Sequence, residues 1–403
     1  MRLDARALPQ RAAGLVVAGL MILGLAACSS LDRLNPFASG EAKWPELPPL
    51  AGGLPLAPVW RVDLGEVGDL GYTPAVVGQT VFAIARAGTL ARIEVGKTLW
   101  RVDGLGRLAG AVASDGRIVV VSTAQGEAIA HAAADGRELW RARLGAEVIA
   151  PPAIGEGKVF LRGNDGRLFA LDASDGKRRW VYQRNLPPLT LRSAAGLTLA
   201  DGRLYAGFPG GKLVALDAAS GALLWEATVA TPKGTTELER VADVVGNPLV
   251  GAHEVCAVAW QGRTACFDRR SGAPLWLREH ASSVGGMLVG KQLVLVDDQG
   301  LVLALDVGNG ASLWRQDLLR GRQPGRPLVV GEHLVVADGQ GVLHVLRGAE
   351  GAAVGRYRLE AGGVTGVPVG LTFAQDPSRP ASSALSGFVV QTRLSGLVAF
   401  RLP

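Results

Sequence analysis

Gly166-Arg-Leu-Phe-Ala-Leu-Asp172-Ala-Ser-Asp-Gly176-Lys-Arg-Arg-Trp180 decides the fold. A turn glycine opens it, an alternating apolar run follows, an acidic residue and a second glycine mark a tight turn, and a tryptophan closes it. Gly211 to Trp225, Gly300 to Trp314, Gly126 to Trp140 and Gly262 to Trp276 repeat the pattern with the same 14-residue offset. Gly88 to Trp100 is two residues shorter, and Gly341 to Gly355 keeps the offset but has glycine in place of the tryptophan. A strand-rich internal period near 40 residues is the mark of a repeat architecture.

The repeat tryptophans fall at 60, 100, 140, 180, 225, 276 and 314, with Gly355 in the next slot. Each unit between them holds four short strand signals, in which Val, Leu and Tyr alternate with small or polar residues between Gly and Asp-Gly turns. In the unit ending at Trp225 these are Gly196–Ala200, Arg203–Phe208, Lys212–Asp217 and Leu223–Ala227. Helical periodicity is absent after residue 30. Four-stranded antiparallel units at this period are propeller blades. The last repeat, Gly396 to Pro403, stops where its tryptophan-bearing strand should begin, and Leu56–Leu64 is such a strand with no unit before it. The expected fold is therefore an all-β, eight-bladed β-propeller closed by pairing of the N-terminal strand into the last blade, over residues 56–403. Closure removes the sheet edges that would otherwise template aggregation.

One large aromatic per blade fills the wedge between neighbouring sheets, with its N–H on a nearby backbone carbonyl. Asp172, Asp217, Asp268 and Asp306 are expected to cap turns before glycine. These recurring residues are read as structural.

Residues 1–27 read as a processing signal. Arg2, Arg6 and Arg11 supply a positive start, and Ala12 to Ala27 is apolar but short for a membrane span. The sequence Leu25-Ala-Ala-Cys28 resembles the bacterial lipobox. That resemblance implies that Cys28 becomes the lipidated first residue, and Ser29 after it favours the outer membrane. Residues 28–55, rich in Pro and Gly without a strand pattern, read as the lipidated cysteine and a flexible tether. The formal charge of +6 falls to +4 when Arg2, Arg6, Arg11 and Asp4 leave with the signal. No run of five basic residues exists, which argues against nucleic acid. The basic residues within Lys177–Arg192 and Arg203–Lys212 read mainly as solvated surface.

Cys256 and Cys266 flank the turn Trp260-Gln-Gly262. A three-residue loop with Gly262 left-handed would oppose Ala259 to Arg263 and Cys256 to Cys266, as a non-hydrogen-bonded pair with α-carbons about 4.5 Å apart, within disulfide reach. A two-residue loop would put them on opposite faces. The disulfide is the favoured reading.

Signals for catalysis are missing. His131, His253, His280, His333 and His344 are scattered without metal-ligand spacing. The sequence contains no Cys-x-x-Cys-His, Gly-x-Ser-x-Gly or Gly-x-x-x-x-Gly-Lys-Ser/Thr. The blade repeat resembles that of pyrroloquinoline-quinone (PQQ) dehydrogenases. That family implies adjacent cysteines over the quinone, a calcium constellation and a catalytic Asp. No two cysteines are adjacent here and no matching calcium ligands stand out, so no catalytic residue, metal or cofactor is expected.

Two gaps in the tryptophan ladder are long. Their extra segments are Tyr182 to Arg192 and Thr231 to Pro248, in successive blades. Insertions in a repeat ring map to loops, often on the working face. Leu189 and Leu191 alternate around Thr190, next to Arg192. Exposed aliphatics beside an arginine suit an interface anchor, and two leucines packed beneath their own loop would fit the pattern equally well.

The lipoprotein signal, the Pro-rich tether, eight tryptophan-motif blades and the Pro-x-Leu-x-Leu-Arg loop together resemble the BamB family of outer-membrane protein assembly lipoproteins. The resemblance covers residues 20–403. It implies a non-enzymatic scaffold at the periplasmic face of the outer membrane, in the β-barrel assembly machine. It further implies that Leu189, Leu191, Arg192 and Asp243 bind the periplasmic POTRA domains of BamA, the central barrel subunit, and that barrel precursors are possible further partners. The family's second acidic position is Val245 here, which leaves Asp243 as the one acidic contributor. The competing readings are a PQQ-dependent dehydrogenase and a periplasmic adaptor for another partner.

Overall fold

The computed structural model describes residues 44–403 except 51, 68–70, 111, 193–194, 360–362, 365, 374–385 and 395. The expected signal, Cys28 and most of the expected tether lie outside the described residues. The chain divides into a unit ending at Glu46 and a body from Leu47 to Pro403. No helix among the described residues is long and apolar enough to cross a membrane.

The body is an eight-bladed β-propeller. Seven blades follow one another as four-stranded antiparallel sheets spanning residues 75–102, 113–143, 153–183, 197–228, 244–278, 286–316 and 328–358. The eighth takes its three inner strands from 369–401 and its outermost strand from Pro58–Val62, which pairs with Gly396–Arg401. Innermost strands of adjacent blades touch around the full circle. In the fourth blade the strands are Leu197–Ala200, Arg203–Phe208, Lys212–Asp217 and Leu223–Thr228, within a residue of the limits expected from the alternation.

Among the described residues the buried apolar side chains do not form a single core. Eight apolar clusters form, one in each wedge between adjacent blades. The two middle strands of a blade therefore face neighbours on both sides and read as unbroken apolar runs. Leu213, Val214, Ala215 and Leu216 are all fully buried. The outermost strand has solvent on one side and alternates, as in Leu223–Thr228.

The tryptophans work between blades. Trp100, Trp140, Trp180, Trp225 and Trp276 each donate their indole N–H to a backbone carbonyl of the following blade, those of Ala133, Ala173, Ala218, Arg269 and Val307. Trp314 differs, donating to the Gln292 side chain at 3.3 Å. Beside each tryptophan the outermost strand slips register by one residue, and Gly355 and Trp60 show the same slip. Asp172, Asp217, Asp268 and Asp306 accept backbone N–H groups of their own turns.

Gly355, in the slot without an indole, is flanked by the segment that precedes the closing strand. Leu54 bridges Gly355 in parallel and donates its N–H to Val354 O at 2.5 Å. Arg356 Nη1 holds Pro48 O at 3.0 Å. The end of the stretch read as tether thus lies along the outer strand of the seventh blade.

Candidate interaction site

A propeller strand that leaves the rim and returns to the axis must cross one end of the ring. The long connections that leave Arg178–Gln183 and Leu223–Thr228 both do so, each running from an outermost strand to the next innermost strand. They share that end with the hairpins joining the two middle strands of each blade, including Gly163–Gly166 and Phe208–Lys212.

Leu189 is 42% exposed. Leu191 is half-buried and Arg192 is exposed. The loop is fixed from below by Asp243, whose Oδ2 accepts the Leu191 N–H at 2.6 Å and whose Oδ1 accepts the Gly210 N–H at 3.2 Å. Asp243 is only 2% exposed. The return of its chain into the innermost strand carries it under the neighbouring loop, where backbone donors reach both carboxylate oxygens. Val245 is also buried, on the innermost strand opposite Val258. An acidic residue there would not reach the surface.

Arg162 lies beneath the same loop. Its Nη1 donates to Ala195 O at 3.0 Å, and its guanidinium sits 5.2 Å from the Phe208 ring centroid. Burial lowers its pKa to about 10, against the opposing pull of Asp243. The second insertion is exposed from Thr231 to Arg240. Glu239 gathers the N–H groups of Thr235 and Thr236 and holds it as a compact turn, with Leu238 63% exposed at its tip.

Sequence reasoning missed Glu147 and Asn164. Glu147 Oε1 meets Arg192 Nη2 at 2.6 Å, and Oε2 accepts Asn164 Nδ2 at 2.9 Å. Glu147 precedes the third blade by an ordinary connection with no insertion, so nothing in the repeat marks it. The nearby basic stretch is largely neutralised: Lys177, Arg179, Arg184 and Lys212 pair with Asp175, Asp172, Glu226 and Glu226.

Cys256 and Cys266 oppose each other directly, with α-carbons 4.0 Å apart, and are joined by a disulfide. They lie in the wedge between the fifth and sixth blades beside Trp276. Ala259 and Arg263 bracket a three-residue loop, but its left-handed residue is Gln261, at φ 48°, rather than the expected Gly262. Gly262 instead sits where a Cβ would come 2.7 Å from that of Ala230, so close approach explains the glycine. Among the described residues no three His, Cys, Asp or Glu side chains gather as a metal site.

The family model described as outer membrane protein assembly factor BamB matches residues 86–316 and 298–379. The assembly factor BamB of Bordetella pertussis is 36% identical over 311 residues, covering 75% of this chain and 78% of that one. The crystal structure of BamB from Moraxella catarrhalis superposes with a TM-score of 0.76 at 24% identity, covering 87% of this chain and all of that one. The quinohemoprotein alcohol dehydrogenase of Comamonas testosteroni also superposes, with a TM-score of 0.64 at 13% identity over 86% of this chain and 76% of its own; that likeness is one of fold alone. With a family model spanning more than half its length and a relative of this identity, the chain belongs to the BamB family of outer membrane protein assembly factors.

Proposed function

We propose that this chain is a non-enzymatic scaffold of the β-barrel assembly machine, tethered through lipid on Cys28 to the periplasmic face of the outer membrane. Its work is to hold the POTRA domains of BamA against the end of the ring that carries Leu189, Leu191 and Arg192. Family membership supports the assembly role. The observation that carries the docking face is the buried carboxylate of Asp243 under an exposed Leu189: the loop is already ordered, so binding costs little further entropy. Tethering both partners to one surface raises their effective concentration. The short outer strands offer a second, weaker mode, in which an incoming precursor strand pairs with a blade edge. The reading requires no cofactor and no catalytic residue.

The test is co-purification of the lipidated protein with BamA from membranes. Leu189→Glu and Arg192→Ala are each expected to reduce recovery about tenfold, the effect of a central anchor worth about 1.4 kcal/mol, with the far-UV spectrum unchanged. Full recovery with both variants would move the docking face elsewhere. Recovery of a different partner in place of BamA would favour a general periplasmic adaptor.

A further inference from the structure

We propose that Glu147 is a positioning residue for Arg192, setting the guanidinium in place before a partner arrives; the inference rests on the docking face proposed above. Glu147 belongs to the connection between the second and third blades, 45 residues from Arg192 in sequence. Asn164, in the middle hairpin of the third blade, grips it twice. The Asn164 N–H donates to Glu147 O at 2.9 Å, and Nδ2 donates to Oε2 at 2.9 Å. The carboxylate is therefore aimed by the third blade and does not depend on the arginine for its orientation.

Its free oxygen, Oε1, takes Arg192 Nη2 at 2.6 Å. The Arg192 side chain stays 62% exposed while that of Glu147 is 28% exposed. Nε and Nη1 of Arg192 have no partner among the described residues. One edge of the guanidinium is thus moored and the rest faces outward. An isolated surface ion pair of this kind adds little to stability. What it does is remove rotamer freedom from a long side chain at the spot where the loop must meet its partner. The two open nitrogens fit a carboxylate on the docking domain, for which arginine geometry is well suited.

The alternative role for Glu147 is that of an internal competitor, which a partner would have to displace. The geometry disfavours it. Competition would require Glu147 to cover the exposed edge of Arg192, and it holds only Nη2.

A double-mutant cycle separates these roles. The full-length lipidated protein is titrated with purified BamA POTRA domains, using the native chain, Glu147→Ala, Arg192→Ala and the double variant, with Glu147→Gln as the conservative replacement. Glu147→Ala is expected to weaken binding about fivefold, to cost nothing further once Arg192 is alanine, and to be partly rescued by Gln, whose single amide oxygen can still accept from Arg192 without the charge. Equal losses from Glu147→Ala in both backgrounds, or no loss, would overturn the positioning role while leaving the docking face intact. Tighter binding by Glu147→Ala would make it a competitor and also overturn the proposal. If Arg192→Ala binds as the native chain does, Arg192 is no anchor and this inference is overturned; the docking face falls with it only if Leu189→Glu also binds unchanged.

Discussion

The indole of Trp180 lies flat against Gly221, the turn glycine of the following blade. A Cβ on Gly221 would sit 2.6 Å from Trp180 Cδ2. The same pairing joins Trp60 to Gly96, Trp100 to Gly136, Trp140 to Gly176, Trp225 to Gly272, Trp276 to Gly310 and Trp314 to Gly351. The two recurring marks of the repeat, glycine and tryptophan, are therefore two halves of one contact made between successive units.

Gly221 is left-handed, at φ 76°, so Gly221→Ala meets both backbone strain and the indole. The expected loss is about 2–4 kcal/mol, combining about 1–2 for the conformation with the cost of overpacking. In a Trp180→Ala background the clash is gone, and the glycine substitution should cost only about 1–2 kcal/mol, the conformational part. Urea midpoints of the four proteins measure the coupling. Strictly additive losses would mean that the indole does not rest on this glycine.

The ring was legible because its contacts recur: each tryptophan, turn aspartate and glycine is announced several times over. The closing strand was legible from the incomplete last repeat. The site was less so. Leu189 and Arg192 stood out as an insertion, but the burial of Asp243 depends on how two insertions stack, and no local pattern carries that. Glu147 is one repeat away from the arginine it meets. Gly262 was misassigned because glycine serves two needs, positive φ and close approach, and sequence does not say which. Leu54 against Gly355 was invisible for a related reason. A missing tryptophan shows a gap, and what lies along it came from a segment that reads as linker.

Removing the Asp243 carboxylate should loosen the Leu189 loop while the ring stays folded. Asp243→Ala leaves the part-buried Leu191 and Gly210 N–H groups without their acceptor, at a cost of about 1 kcal/mol each. Hydrogen exchange at the Leu191 amide is expected to accelerate, and POTRA binding to fall about as far as in Leu189→Glu. An unchanged exchange rate at Leu191 would show that the loop is held by something else.

The disulfide closes a short loop in an already buried wedge. Replacing Cys256 and Cys266 together by serine should lower stability by about 2–3 kcal/mol, the range for a closure of this length. Peptide maps of the native protein with and without reductant should differ only in the fragments holding these two residues. Identical maps would mean the thiols are free in the mature protein.

Asp338 lies in a fully buried polar cluster at the seventh blade. Its Oδ2 faces Arg322 Nε at 2.7 Å and His344 Nε2 at 3.1 Å, and Oδ1 accepts the N–H groups of Gln340 and Val342. Burial alone would raise its pKa. The hydrogen bonds from His344, Val342 and Arg322 outweigh burial and hold the carboxyl below its ordinary value. A carboxylate with a depressed folded pKa contributes stability that is complete above the unfolded value of about 3.9 and is lost as pH falls through the folded one. Asp338→Asn, which takes the negative charge away from the buried Arg322, should therefore cost about 3–5 kcal/mol at pH 7. The gap between native and variant urea midpoints should hold steady down to about pH 4 and narrow only below it. A gap that closes already between pH 7 and pH 5 would show that the carboxylate is not the group whose charge the cluster depends on.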